Sequence, residues 1–184
     1  MTTASREPIE LTRDCVATTV PGGRQTSLAA GDRVQILQTL GESITVQTEF
    51  GALVRINGED ADALGLEMPE QELGLVTTAG PFSMSQVVDA LQNVYDPEIP
   101  VSVVELGLIY RCDEERLADG SRLISIDMSM TAPGCGMGDV LRADAERVVR
   151  MVPGVDDVEV TLVWDPPWNL SRMSEAVRLQ LGLL

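Results

Sequence analysis

Cys135 lies between two glycines in the run Thr131-Ala132-Pro133-Gly134-Cys135-Gly136-Met137. Glycines on either side leave a sulfur uncovered and let another backbone come close. The helical apolar period that follows, Leu141, Ala145, Val148 and Val149, puts the cysteine near a helix N-terminus, where partial positive charge favours an anion. A contribution of about 1.4 kcal/mol would lower the thiol pKa by roughly one unit from about 8.5, making about a quarter of it thiolate at pH 7. Asp139, in the first turn, opposes that shift, as does the negative charge of the chain. Asp96 and Glu98 form the second chemical feature, in Asp96-Pro97-Glu98-Ile99-Pro100, a stretch that two prolines stiffen and bar from helix. A thiolate and two carboxylates in one cleft repel each other, and a divalent cation removes the conflict. Mixed sulfur and oxygen ligation suits iron or zinc better than magnesium, and three ligands leave a coordination position open, so such a site binds and releases.

Each feature also has a plainer reading. A lone cysteine in a glycine turn is as often a merely exposed thiol, and Asp-Pro-Glu is ordinarily a turn with solvated carboxylates. Cys15 and Cys112 fall in or beside strand-like runs and read as packed thiols, and Met128, Met130 and Met137 read as core. Trp164 and Trp168, in Trp-Asp-Pro-Pro-Trp, make either a packing corner or a partner surface.

Composition narrows the chemistry. The 184 residues carry 13 basic and 29 acidic side chains, a formal charge of −16, with every base an arginine and no histidine. Such a surface repels phosphate backbones and anionic membranes, so neither nucleic acid nor membrane is an expected partner. Without histidine or lysine there is no Ser-His-Asp or Cys-His pair, Schiff base or P-loop lysine. Three cysteines in no Cys-x-x-Cys spacing argue for a reducing compartment, and nothing at the start reads as a signal peptide or a membrane span, so the expected location is the cytoplasm.

The elements that must position these residues fall into two parts, read as domains over 1–76 and 77–184. From Cys15 to Val76 short alternating runs, with turns at Gly22-Gly23, Gly41-Glu42 and Asn57-Gly58, predict a small all-β barrel or meander. Gly65–Gly80 reads as a linker. Beyond Pro81 the pattern alternates. A capping box, Ser83-Met84-Ser85-Gln86, starts a helix to about Val94. Strands follow over Val101–Tyr110 and Leu123–Met130, joined as a hairpin through Asp119-Gly120. Then come a helix over Asp139–Met151, a strand over Asp157–Trp164 parallel to its predecessor, and a terminal helix near Ser171–Leu181. The order α-β-β-α-β-α predicts an α+β fold, a two-layer sandwich on a small mixed sheet.

Four motifs in this second part agree with one family. Asp96-Pro97-Glu98-Ile99-Pro100-Val101, Val104-Glu105-Leu106-Gly107-Leu108-Ile109-Tyr110, the cysteine run, and Val163-Trp164-Asp165-Pro166-Pro167-Trp168 with Met173-Ser174-Glu175-Ala176 resemble the SufT group, in its long bacterial form, of the metal-sulfur-cluster biosynthesis family that includes PaaD-type proteins. The resemblance covers about residues 82–184. It implies a non-enzymatic accessory factor that helps deliver iron–sulfur clusters to apoproteins, with an assembly scaffold and client apoproteins as partners and a transient cluster, or a labile iron or zinc ion, as cofactor. Carried over by position, the reactive cysteine falls on Cys135 and the acidic loop on Asp96 and Glu98, with Thr131, Gly134 and Gly136 supporting. Many short family members have proline after the cysteine, where this chain has Gly136. The resemblance also implies a homodimer, in which two copies of Cys135 serve one cluster. The competing functions are a thiol enzyme with Cys135 as nucleophile, which lacks a base and a resolving cysteine, and a binding module that docks a partner on Trp164 and Trp168.

Overall fold

The computed structural model describes residues 7–67, 81–134 and 136–183. The first part is a six-stranded antiparallel sheet: β1 (Ile9–Glu10), β2 (Cys15–Thr19), β3 (Gln25–Leu28), β4 (Arg33–Leu40), β5 (Ser43–Thr48) and β6 (Leu53–Asn57), in the order β1-β4-β5-β6-β2-β3. The run β4-β5-β6 is a meander. Among the described residues β1 and β3 are edges that do not pair with each other. Alternation works as the period of a strand requires: Ile44 faces Ile56 and Val46 faces Val54 across β5 and β6, and all are buried. A 3-10 turn over Gly58–Leu64 closes one end with Ala61, Ala63 and Leu64.

The second part contains α1 (Met84–Leu91), β7 (Ile109–Arg116), β8 (Arg122–Met128), α2 (Gly138–Arg150), β9 (Asp157–Leu162) and α3 (Glu175–Gln180). Its sheet has the order β7-β8-β9, with β7 antiparallel and β9 parallel to β8. Val87 and Leu91 of α1, Leu141 and Val148 of α2, and Ile124, Ile126 and Met128 of β8 meet in one core. Ser83 starts α1 as the capping box directs, its backbone N–H donating to Gln86 Oε1 at 2.9 Å. Met128, Met130 and Met137 are buried.

Three element boundaries differ from the sequence reading. The expected strand over Val101–Tyr110 begins only at Ile109. Residues 101–108 instead fold as tight turns, closed by Leu106 N–H on Ser102 O and Leu108 N–H on Val103 O, with Gly107 at φ +67°. The apolar run Val101, Val103, Leu106, Leu108 is buried, and burial alone does not separate a strand from a coiled-up turn. Helix α1 ends at Leu91 because Asn93 and Val94 donate to the carbonyls three residues back, which tightens the chain before Asp96-Pro97. The terminal helix is broken: a 3-10 turn over Leu170–Arg172, then extended Met173, then α3, whose N-cap Ser174 accepts from Val177 N–H. Most of the expected linker, residues 68–80, lies outside the described residues.

The two parts touch. Three consecutive residues of β6, Val54, Arg55 and Ile56, are all buried, so both faces of that strand are covered: one by its own sheet's core, the other by α2. Across this contact Arg55 pairs with Asp144 and Glu42 pairs with Arg147, and within α2 Arg147 also pairs with Asp144.

Candidate functional site

The cysteine run connects β8 to α2. Thr131 is half-buried and Ala132, Pro133 and Gly134 are exposed, whereas Met137 and Gly138 are buried and anchor the loop at the helix start. Gly134 has φ +79° and nothing near where a Cβ would stand, so glycine is there for its backbone conformation. Gly136 is there for space: a Cβ on it would stand 2.6 Å from Gly22 O and 3.0 Å from Pro21 O. Asp139, in the first turn of α2, is exposed, with Arg142 Nε 3.7 Å from its Oδ1, which offsets part of its charge at the helix start. Cys135 itself lies outside the described residues.

The acidic loop is built by Asp96. Its side chain is buried, and Oδ1 accepts from Glu98 N–H at 2.8 Å and Ile99 N–H at 2.9 Å, a turn held by an acidic side chain ahead of proline. Glu98 is exposed and points into a groove of about 370 Å³ shared with Val20, Pro21, Leu37, Gln38 and Pro97. Gln38 Nε2 donates to Pro97 O at 3.3 Å. The turn between β2 and β3 therefore borders both features: Val20 and Pro21 face the acidic loop, and Pro21, Gly22 and Gly23 meet Gly136. Reading the sequence, Pro21-Gly22-Gly23 signalled only a turn, and nothing local marks it as a neighbour of the cysteine run.

The other two thiols are chemically quiet. Burial pushes the Cys15 thiol up, and nearby Asp60 adds to the shift. On β7, opposite Ile126, burial followed by Asp113 pushes Cys112 up to about 11. Its thiolate fraction then rises about tenfold per pH unit until near pH 11, so at pH 8 Cys112 should alkylate about 100-fold more slowly than a cysteine of ordinary pKa, even before its partial burial is counted. Iodoacetamide labelling followed by peptide mass spectrometry measures this, and labelling at the rate of a free peptide thiol would refute it. Among the described residues no cluster of three or more Cys, Asp or Glu side chains is arranged to hold a metal.

At the end of the sheet from which the cysteine run also leaves, just beyond β9, Trp164 is 44% exposed. Trp168 is half-buried and donates its indole N–H to Leu106 O at 2.8 Å. The two rings thus differ: one is fixed to the turn before β7, the other is free to meet solvent or a partner.

A family model for iron–sulfur cluster assembly proteins matches residues 84–162. An Fe-S protein maturation auxiliary factor of Porphyromonas gingivalis is 44% identical over 98 residues, which are 53% of this chain and 90% of that protein. The chain belongs to this family. The Fe-S protein maturation auxiliary factor YitW of Bacillus subtilis is 36% identical over 53% of this chain and 91% of its own length, and SufT of Staphylococcus aureus, of the same description, is 34% identical over 49% and 98%. Among solved structures, a DUF59 domain from Bacillus anthracis shares 36% identity over 54% of this chain and 92% of its own, at a TM-score of 0.47. The family match begins at α1, so the six-stranded sheet lies outside it. These family members are named as auxiliary factors, not as enzymes. No helix among the described residues is long and apolar enough to cross a membrane.

Proposed function

We propose that this chain is an accessory factor in iron–sulfur maturation that holds a cluster, or the iron for one, briefly at Cys135 and Glu98 and passes it to client apoproteins. The observation that supports the reading is that Gly136 of the cysteine run meets Gly22 and Gly23 of the β2–β3 turn, while Val20 and Pro21 of the same turn share a groove with Glu98. Cys135 is the thiol suited to the task, since burial keeps Cys15 and Cys112 protonated. Asp96 holds the loop that presents Glu98, and Thr131, Gly134 and Gly136 shape the cysteine run. The cluster is cargo. A stably held cluster takes about four thiolates, and one available thiol per chain favours loose ligation, completed by a second copy of the chain in a homodimer or by the client. The function would need no catalysis, and free thiolate chemistry with iron places it in the cytoplasm.

In this reading residues 77–184 form the cluster-handling domain and residues 1–76 a separate β-rich domain. Trp164 would meet the scaffold or client, beside Trp168, whose indole is tied to Leu106 O. The relatives' names support the maturation role, and the chemistry of mixed sulfur and oxygen donors supports a labile iron site.

Anaerobic reconstitution tests it. Wild-type protein should develop thiolate-to-iron charge-transfer absorption, Cys135→Ser should lose it, and Glu98→Gln should retain iron about tenfold more weakly. Trp164→Ala should load normally but transfer its iron to an apoprotein more slowly. Equal loading of wild type and Cys135→Ser would end the proposal.

A further inference from the structure

We infer that the β2–β3 turn, Val20–Gly23, is a wall of the cysteine loop that positions it against the acidic loop. The contact is backbone on backbone. A Cβ added to Gly23 would overlap the Gly136 carbonyl, and one added to Gly136 would stand 2.6 Å from Gly22 O, so glycine is required on both sides. The same turn continues through Pro21 and Val20 into the groove that holds Pro97 and Glu98, and Gln38 on β4 ties Pro97 O to the same sheet. A sheet outside the family match thereby acts on a loop inside it. Glycine-flanked loops are not self-supporting, since each glycine gives its backbone up to solvent and to many conformations. The wall supplies from outside, at Gly136, the restraint that the loop's glycines lack.

This inference rests on the reading of Cys135 as the functional thiol, yet its test needs no iron. Gly136→Ala inserts a methyl against Gly22 O at an ordinary backbone conformation and should push the wall and the loop apart. Gly22→Ala is the matched control: its added Cβ meets only the Thr19 side chain, at 3.0 Å for Oγ1, and not Gly136. Alkylation of Cys135 by iodoacetamide, followed by peptide mass spectrometry across a pH series, should be at least about threefold faster in Gly136→Ala and within about twofold of wild type in Gly22→Ala. Cys112 in the same molecules should be unchanged, because a wall acts locally. An unchanged Cys135 rate in Gly136→Ala, or a parallel rise at Cys112, would overturn the inference. If Gly136→Ala does not fold, the wild-type protein decides by NMR: cross-relaxation between the Gly23 and Gly136 backbone protons is required, and its absence has the same force. Loss of iron loading in Cys135→Ser with no change in these rates would remove the wall and leave the function standing.

Discussion

Asp144→Ala is expected to lower stability by about 3–5 kcal/mol, because it leaves the Arg55 guanidinium buried without its counter-charge. Only 4% of Arg55 and 5% of Asp144 is exposed, so water cannot take over the lost interaction. The pair is part of a neutral group of four. Arg55 from β6 meets Asp144, and Arg147 from α2 reaches Asp144 Oδ1 with Nη2 at 3.3 Å and Glu42, beside the β4–β5 turn, with Nη1. Arginine suits this because its planar fork serves two carboxylates with separate nitrogens. Burial pushes the Asp144 carboxyl up while Arg55 pulls it back down, so the carboxylate is held by its partner and not by solvent. For a chain of this length about 1 kcal/mol shifts the melting temperature by roughly 2–4 °C, so Asp144→Ala should melt on the order of 10 °C lower. Replacing both partners, Arg55→Met with Asp144→Leu, should recover most of the loss, since a buried pair adds little over apolar side chains of similar volume. Circular dichroism melts of Asp144→Ala and the double variant read this directly. A single variant that melts with wild type would show the contact between β6 and α2 to be solvated.

This ionic contact also marks where reading the sequence stops. The capping box at Ser83, the alternation along β4 to β6 and the helical stripe of α2 are local signals, carried by residues within a turn or two of each other. Glu42, Arg55, Asp144 and Arg147 carry no such signal. Along the chain Arg55 is a polar residue on the outward side of a strand, and Asp144 and Arg147 are an ordinary i,i+3 pair on a helix surface. Only the packing of two parts distant in sequence turns them into a core. The same holds at the site. Cys135, Asp96 and Glu98 stood out by type and by the glycines and prolines around them. That Asp96 builds its loop while Glu98 faces a groove depends on which oxygen meets which amide, and that Gly136 needs its missing side chain depends on a turn more than a hundred residues earlier. The misplaced strand over 101–108 has a related cause: its apolar residues are buried as a strand's would be, but Gly107 turns the chain.

Gly107→Ala should destabilise the fold by about 2–5 kcal/mol, combining a left-handed backbone that costs roughly 1–2 kcal/mol outside glycine with overpacking of about 1–3 kcal/mol. Gly107 has φ +67°, and a Cβ there would run into the Arg172 carbonyl. The reason for so close an approach is that the C-terminal segment is stitched to three successive carbonyls of this turn. Trp168 Nε1 donates to Leu106 O at 2.8 Å, Arg172 Nε to Gly107 O at 3.2 Å, and Ser174 N–H to Glu105 O at 3.0 Å. Arg172 also lies over the Tyr110 ring, 3.5 Å from its centroid, a cation–π contact at the start of β7. Two motifs some sixty residues apart, Glu105-Leu106-Gly107-Leu108 and Trp168 through Ser174, are thus one structural unit, and the glycine is where their backbones meet. An alanine there must push the whole segment away, so the loss should exceed that of Gly120→Ala, which has a similar φ of +87° but nothing within 4 Å of an added Cβ. Comparing the urea midpoints of the two variants separates the shared backbone strain from the contact that only Gly107 makes. Equal midpoints would mean that the C-terminal segment yields without resistance, and the three hydrogen bonds to Glu105, Leu106 and Gly107 would then count for little.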